Sequence, residues 1–333
     1  MSDNSVAFIQ SELKSVKENC EKKVKDSKLV ACVPAMVRVV LEQTQHKSIV
    51  VCLMFPDKYP DATILIELKS KTLSYKLLQG LTKVAEEEAK KYLGREQVLM
   101  VLKFIRNFIQ ENPLCVCSEE ISFIKKDLLQ DCDDIKLKQK LSQIILKVKK
   151  DQYFMNFKIT IPDNYPFDQS SIEVADHNFP EPLTVNILAQ ANEIARRCVQ
   201  PPLKKRPKDP PFEPKPAVRP VCEYMIRTCI KNYPAQKCPL CNEMALPENP
   251  QEIINEPNHE KFAERVYCGH TFHHGCLDIY MKTPPFTGGK KCPSCSNRIY
   301  HENWKVTPEL AEARWAHQEA RRRELDEVVD FLE

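Results

Sequence analysis

The sequence predicts an α+β chain: two tandem copies of one mixed unit, then a small cysteine- and histidine-rich module, then a terminal helix. Two observations carry that expectation. Pro56-Asp57-Lys58-Tyr59-Pro60 with Ile66-Glu67-Leu68 recurs as Pro162-Asp163-Asn164-Tyr165-Pro166 with Ile172-Glu173-Val174, displaced by 106 residues at every matched position. Further on, Cys238-Pro-Leu-Cys241, Cys268-Gly-His270, His273-His-Gly-Cys276 and Cys292-Pro-Ser-Cys295 gather six of the 15 cysteines into one short stretch.

The bulk properties bound what such a chain can be. A length of 333 residues with a 42% hydrophobic fraction is enough for two or three packed cores. The net charge of +3 creates no global field that would recruit nucleic acid or an anionic membrane. The first thirty residues are polar and amphipathic, without the apolar core of a secretion signal, and no run approaches a membrane span. An intracellular, soluble protein is expected, in which clustered cysteines bind metal and scattered ones stay free thiols.

Taken in order, Val6, Ile9, Leu13 and Val16 form one stripe of an amphipathic helix over Ser5 to Cys20. The β-rich runs Lys28 to Leu41 and Lys47 to Phe55, joined by polar Glu42 to His46, predict an antiparallel pair. The proline turn, a strand at Thr63 to Leu68, and helices at Tyr75 to Leu93 and Gln97 to Ile109 complete the first copy. The second repeats the order: a helix at Glu119 to Leu129, strands at Asp134 to Val148 and Tyr153 to Ile161, the turn, a strand, and a helix at Val185 to Cys198. In each turn two prolines end strand pairing, while the tyrosine between them can bury its ring and satisfy its hydroxyl.

This succession of helix, meander, Tyr-Pro turn and helices resembles the RWD domain, a non-catalytic relative of the ubiquitin-conjugating fold. The resemblance implies one RWD-like domain at residues 1–114 and a second at 115–199. The family's further proline after Tyr-Pro is replaced by Ile64 and Ser170. Neither copy has the His-Pro-Asn and cysteine of a conjugating enzyme, and Cys198 falls on a predicted helix, so the copies are expected to be binding modules.

Residues 200–220 hold eight prolines and predict an extended spacer. Within it, Leu203-Lys204-Lys205-Arg206-Pro207-Lys208 is a candidate nuclear import signal on an otherwise cytoplasmic protein, the plain alternative being a solvated basic linker. A helix at Val221 to Ile230 is expected to lead into a module spanning 221–302. Residues 303–333 predict a terminal helix, started by Thr307 as cap with Pro308 in the first turn, for docking or oligomerisation.

The module carries the chemistry. Zinc takes four soft or borderline ligands at tetrahedral corners, and a Cys-x2-Cys turn aims two sulfurs at one metal, so four ligand pairs predict two closed Zn2+ sites per chain. His274 neighbours His273, but the Cys-x-His-x2-His-x2-Cys spacing favours His273. A four-ligand nucleic-acid finger is disfavoured by eight ligands separated by acidic sequence (Glu248, Glu252, Glu256, Glu260).

The order of these ligands resembles a RING-H2 finger of the ubiquitin-ligase class. The resemblance implies a cross-brace, in which Cys238, Cys241, His273 and Cys276 hold one zinc and Cys268, His270, Cys292 and Cys295 the other. Each structural site would then have a formal charge of about −1. It further implies a groove for a ubiquitin-charged conjugating enzyme at Leu240, Tyr280 and Pro293, with no covalent intermediate on this chain. The position after the last cysteine, often basic in active members, is Ser296, with Arg298 two further on. The whole resembles RWD-RING E3 ubiquitin ligases, whose RWD-like domains would recruit a protein substrate or complex subunit. The competing expectation is a non-catalytic scaffold using the same modules for assembly.

Overall fold

The computed structural model describes residues 3–202, 210–304 and 307–332. The chain divides into two compact units, one comprising Met1–Lys147, Phe157–Val174 and Gln190–Glu223, the other Val148–Asn156, Ala175–Ala189 and Tyr224–Glu333.

Helix α1 (Asp3–Lys23) buries Ile9, Leu13, Val16 and Cys20 at spacings of four, three and four, while Val6, expected on the same stripe, is 41% exposed. A four-stranded antiparallel meander follows: β1 (Ser27–Val33), β2 (Met36–Thr44), β3 (Lys47–Met54) and β4 (Leu65–Lys69). The run Lys28 to Leu41 is therefore two strands. Pro34, which has no N–H for a ladder, sits in the turn that divides them. The inward pairs Val37 with Leu53, Val39 with Val51 and Leu41 with Ile49 are all 0–1% exposed. Full burial of such a side chain contributes about 1.5–3 kcal/mol. Helices α2 (Tyr75–Ala89) and α3 (Val98–Glu111) pack on this core, and the Ser74 hydroxyl caps α2 by accepting from Leu77 N–H.

The proline turn works as a lock on α3. Tyr59 is fully buried; its hydroxyl donates to the Glu12 carboxylate and accepts from Gln97 N–H at 3.2 Å. The other Glu12 oxygen accepts from Val98 N–H at 2.8 Å. The first N–H groups of a helix have no partner within it, so a buried carboxylate and hydroxyl here replace the water they would otherwise need. The Gln97 side chain ties the turn back, accepting from Ile64 N–H at 2.9 Å and donating to the carbonyls of Pro60 and Ala62 at 3.2 and 3.1 Å.

A second four-stranded sheet has the order β5 (Asp134–Lys138), β6 (Gln143–Lys150), β7 (Tyr153–Thr160), β8 (Ser171–His177). The run Asp134 to Val148 divides as the first one does, here at a short 3-10 turn ending on Ser142 at φ 51°. Helix α4 (Ser118–Phe123) precedes the sheet and widens into a π turn, Ile124–Leu128, closed by Leu129 N–H on the Ile124 carbonyl at 3.1 Å. Helix α5 (Glu181–Val199) follows it.

The lock recurs. Tyr165 hydroxyl donates to Glu120 at 2.6 Å and accepts from Ala217 and Val218 N–H at 2.7 and 3.2 Å, and Glu120 accepts from Arg219 N–H at 2.8 Å. The helix so capped is α6 (Val218–Cys222), continued by a π turn over Glu223–Ile230. The predicted helix at Val221 to Ile230 thus starts three residues earlier, and its first turn bonds to the second copy. Lys215 N–H is also bonded to the Cys198 carbonyl at 2.8 Å, and Ala217 is fully buried, so the spacer expected through 220 is anchored from 215 onward. The candidate import signal at 203–208 lies outside the described residues.

In the second unit a short hairpin, β9 (Ala263–Arg265) with β10 (Thr271–His273), leads into α7 (His274–Lys282). Helix α8 (Pro308–Leu332) follows, with Thr307 as its cap accepting from Leu310 N–H at 3.4 Å.

Candidate metal centre

Two turns of one design present the outer ligand pairs. After Cys238 and Cys241 the chain takes the left-handed conformation at Asn242 (φ 61°), whose N–H bonds to the Cys238 carbonyl at 2.9 Å. After Cys292 and Cys295 it does so at Ser296 (φ 59°), whose N–H bonds to the Cys292 carbonyl at 2.8 Å. An isolated β-bridge closes each turn, Lys237 to Met244 and Lys291 to Arg298. Positive φ is tolerated by Asn and strains Ser. The third turn uses Gly269 (φ 90°) between Cys268 and His270. Gly275, two residues after His273, is required for a different reason: a Cβ there would lie 3.1–3.2 Å from Glu260, side chain and backbone.

The eight residues converge in two groups. Cys238, Cys241, His273 and Cys276 form one, and Cys268, His270, Cys292 and Cys295 the other, with the ligand atoms of each group within 4.8 Å of one another. The first and third pairs thus meet, as do the second and fourth. Zn–S bonds of about 2.3 Å and Zn–N bonds of about 2.0–2.1 Å give a tetrahedral S···N edge of about 3.5 Å. His273 Nδ1 stands 3.3 Å from Cys241 Sγ and 3.9 Å from Cys276 Sγ. His270 Nδ1 stands 3.4 Å from Cys268 Sγ and 3.6 Å from Cys292 Sγ. Each group can hold a metal ion, and its three sulfurs and one imidazole suit zinc.

The surroundings prepare the donors. His273 Nε2 lies 3.0 Å from the Met244 carbonyl, so Nε2 carries the proton and Nδ1 turns its lone pair inward. His274, the alternative ligand, is turned elsewhere: its Nδ1 is 3.2 Å from Glu264. With donors alone, the Cys238 thiolate pushes His273 up to about 9, and Cys276 is pushed up to about 12 by burial and then by the charge on Cys238.

Of the expected groove residues, Leu240 and Tyr280 pack against one small core made by Cys238, Val266, Phe272, Leu277, Cys292 and Ile299. Tyr280 hydroxyl donates to the Lys291 carbonyl at 2.8 Å. Pro293 is exposed in the last turn and outside that cluster. Ser296 is also exposed.

Sequence reasoning missed a polar brace beside α7. Glu264 lies 3.2 Å from His274 Nδ1 and 2.6 Å from His301 Nε2, while Trp304 Nε1–H donates to Asp278 at 2.9 Å. The signal available was a tryptophan nine residues after the last cysteine, in a chain with only two.

Fold and site together define a mixed α/β protein with two candidate metal centres. Residues 8–109 match the RWD domain, so an RWD domain occupies the N-terminal part of the chain, inside the 1–114 expected for it. Among curated proteins no match to the chain was found. No helix among the described residues is long and apolar enough to cross a membrane.

Proposed function

We propose that this chain is a RING-type E3 ubiquitin ligase. The carrying observation is the interleaved convergence of the eight ligands, pairs one and three apart from pairs two and four. This arrangement ties both ends of the module to its middle and leaves neither site an open corner for water, so the metals serve as structure and the work falls to the surface. Bound zinc would supply the fold of that surface. Leu240, Tyr280 and Pro293 would receive the conjugating enzyme, whose thioester is attacked directly by the substrate amine. The RWD domain at 8–109 favours protein binding, of a substrate, a complex subunit or a conjugating enzyme, and the repeated Glu-Tyr lock supports reading the second copy as a further RWD-like domain. The protein would act in the cytoplasm, and in the nucleus if the basic run imports it.

Self-ubiquitination with a panel of conjugating enzymes tests the reading. Wild type should modify itself with at least one, and Leu240→Ala should lower the rate about tenfold or more, the loss of a central apolar anchor costing about 2 kcal/mol. No activity with any of them sinks the ligase reading and leaves the scaffold, which one observation favours independently. Ser296 is committed to a left-handed turn, exposed and uncharged, where a basic bridge to ubiquitin would be expected.

A further inference from the structure

A groove of about 1290 Å3 opens along the first half of α8, on the side of α7 that carries Asp278 and Lys282. Its walls mix indoles with cations: Trp304 and Trp315 stand among Lys290, Arg298 and Arg314. Asp278, the one carboxylate among the described residues of the lining, is already engaged by the Trp304 indole at 2.9 Å and by Lys282 at 2.7 Å. The chain as a whole is only +3, so this excess of positive charge is local.

Lys290 distinguishes the groove from a solvated basic patch. It is 7% exposed, and its Nζ is buried without a hydrogen-bond partner. What holds it is the face of Tyr280, 4.4 Å from the ammonium to the ring centroid, and that of Phe286 at 5.4 Å. Aromatic faces attract a cation but accept none of its three donors. A buried ammonium left in that state is a standing penalty, which an incoming anion would remove. Beside it, Arg298 lies flat over Gly289, where a Cβ would meet its Nε at 2.6 Å, and stacks 5.3 Å from the Tyr300 ring. Tyr300 and Tyr267, also in the lining, are 57% and 80% exposed.

We propose that this groove binds an acidic peptide segment of a partner protein, a carboxylate pairing with Lys290 and a neighbouring apolar side chain lying between the two indoles. The setting of the ammonium favours a protein carboxylate over a nucleic-acid backbone. Enclosed by aromatic faces, it matches a carboxylate carried beside apolar side chains, and the exposed Arg298 and Arg314 suit further acidic residues of the same segment. Leu240, Tyr280 and Pro293 do not line the groove, although the Tyr280 ring holds Lys290 from behind, and peptide binding is read directly, without ligase activity.

The test uses the full, metal-loaded chain and two fluorescein-labelled heptapeptides, Asp-Leu-Glu-Trp-Asp-Leu-Glu and its Asn/Gln counterpart. Fluorescence anisotropy should show the acidic peptide binding at least tenfold more tightly than the neutral one, with affinity falling as salt rises. Lys290→Met should keep both metals and melt no lower than wild type, since it removes an unpaired buried charge, yet weaken the acidic peptide about tenfold. Arg314→Glu, on an exposed helix face, should also weaken it and carries no folding risk. Equal binding of the two peptides overturns the proposal, as does affinity unchanged within twofold in both variants. Displacement of the peptide by an equally long single-stranded oligonucleotide at lower concentration would assign the groove to nucleic acid. Concentration-dependent self-association that blocks the peptide would assign it to a second copy of the chain. Either result also overturns the proposal.

Discussion

Replacing Tyr59 by Phe removes one oxygen atom and should unlatch α3. That hydroxyl donates to the buried Glu12 carboxylate and accepts from Gln97 N–H at 3.2 Å. A hydrogen bond to a charged group contributes about 1.5–3 kcal/mol, and a buried N–H left without a partner costs about 1–3 kcal/mol, here toward the low end because the bond is long. Together they come to about 3 kcal/mol, which at 1.4 kcal/mol per tenfold raises the opening of the helix start about a hundredfold. Hydrogen exchange in the full chain, read over residues 97–111, measures this directly, and Tyr165→Phe provides the parallel experiment over 217–230. The second change should cost at least as much, because Tyr165 accepts from two N–H groups, at 2.7 and 3.2 Å. The pH dependence has a definite sign. Burial raises the Glu12 pKa above its ordinary value, against the lowering effect of the Tyr59 hydroxyl. The native state therefore holds more protons than the unfolded one in the interval just above the ordinary carboxylate value. Stability falls as pH rises through that interval and is restored below it. Without the hydroxyl the interval extends upward, so the variant should lose more stability between mildly acidic and neutral pH than wild type does. Exchange of α3 amides within fivefold of wild type, or an unchanged pH slope, would refute the reasoning.

Two further outcomes are expected of the module. Metal analysis should return two zinc ions per chain, and chelation should abolish exchange protection over 236–304 while residues 8–109 keep theirs; a single zinc would contradict the paired clusters. Gly275→Ala should destabilise the module by about 1–3 kcal/mol, because the new methyl meets Glu260 backbone and side chain at 3.1–3.2 Å; a melting temperature unchanged from wild type would show that the 248–262 loop yields freely.

Much of the fold was legible because its signals are periodic or rigid. The Tyr-Pro turns and the stripe Ile9, Leu13, Val16 stood out, and an RWD domain does lie at 8–109 within the first expected domain. The strand runs merged because Pro34-Ala35 and Ser142 turn the chain without a Gly or Asn to mark it. Helix α6 was half hidden by prolines. Pro220 sits in its first turn, where a missing N–H is harmless, yet in a run of eight it reads as linker. Glu12 and Glu120 could not be singled out, since a glutamate on an amphipathic helix ordinarily faces water and only the three-dimensional approach of a tyrosine reveals otherwise. The candidate metal ligands were the most legible feature, because thiolate geometry limits their spacing, and they converge in two groups. Lys290 was the least, because nothing in a Gly-Gly-Lys-Lys loop announces burial.

The two locks tolerate very different tethers. Residues 90–97 join α2 to α3, whereas 200–217 join α5 to α6, and both helices nevertheless receive the same caps. The cost of joining two fixed elements through a longer stretch of sequence grows slowly, by about 0.6 kcal/mol for each doubling of its length. A helix anchored by its own first turn is therefore indifferent to the route by which the chain reaches it. The stretch between Pro201 and Pro214 is consequently the natural place to splice in a fluorescent protein, a protease site or an affinity tag. Such an insertion should report on the assembled protein while leaving both halves undisturbed.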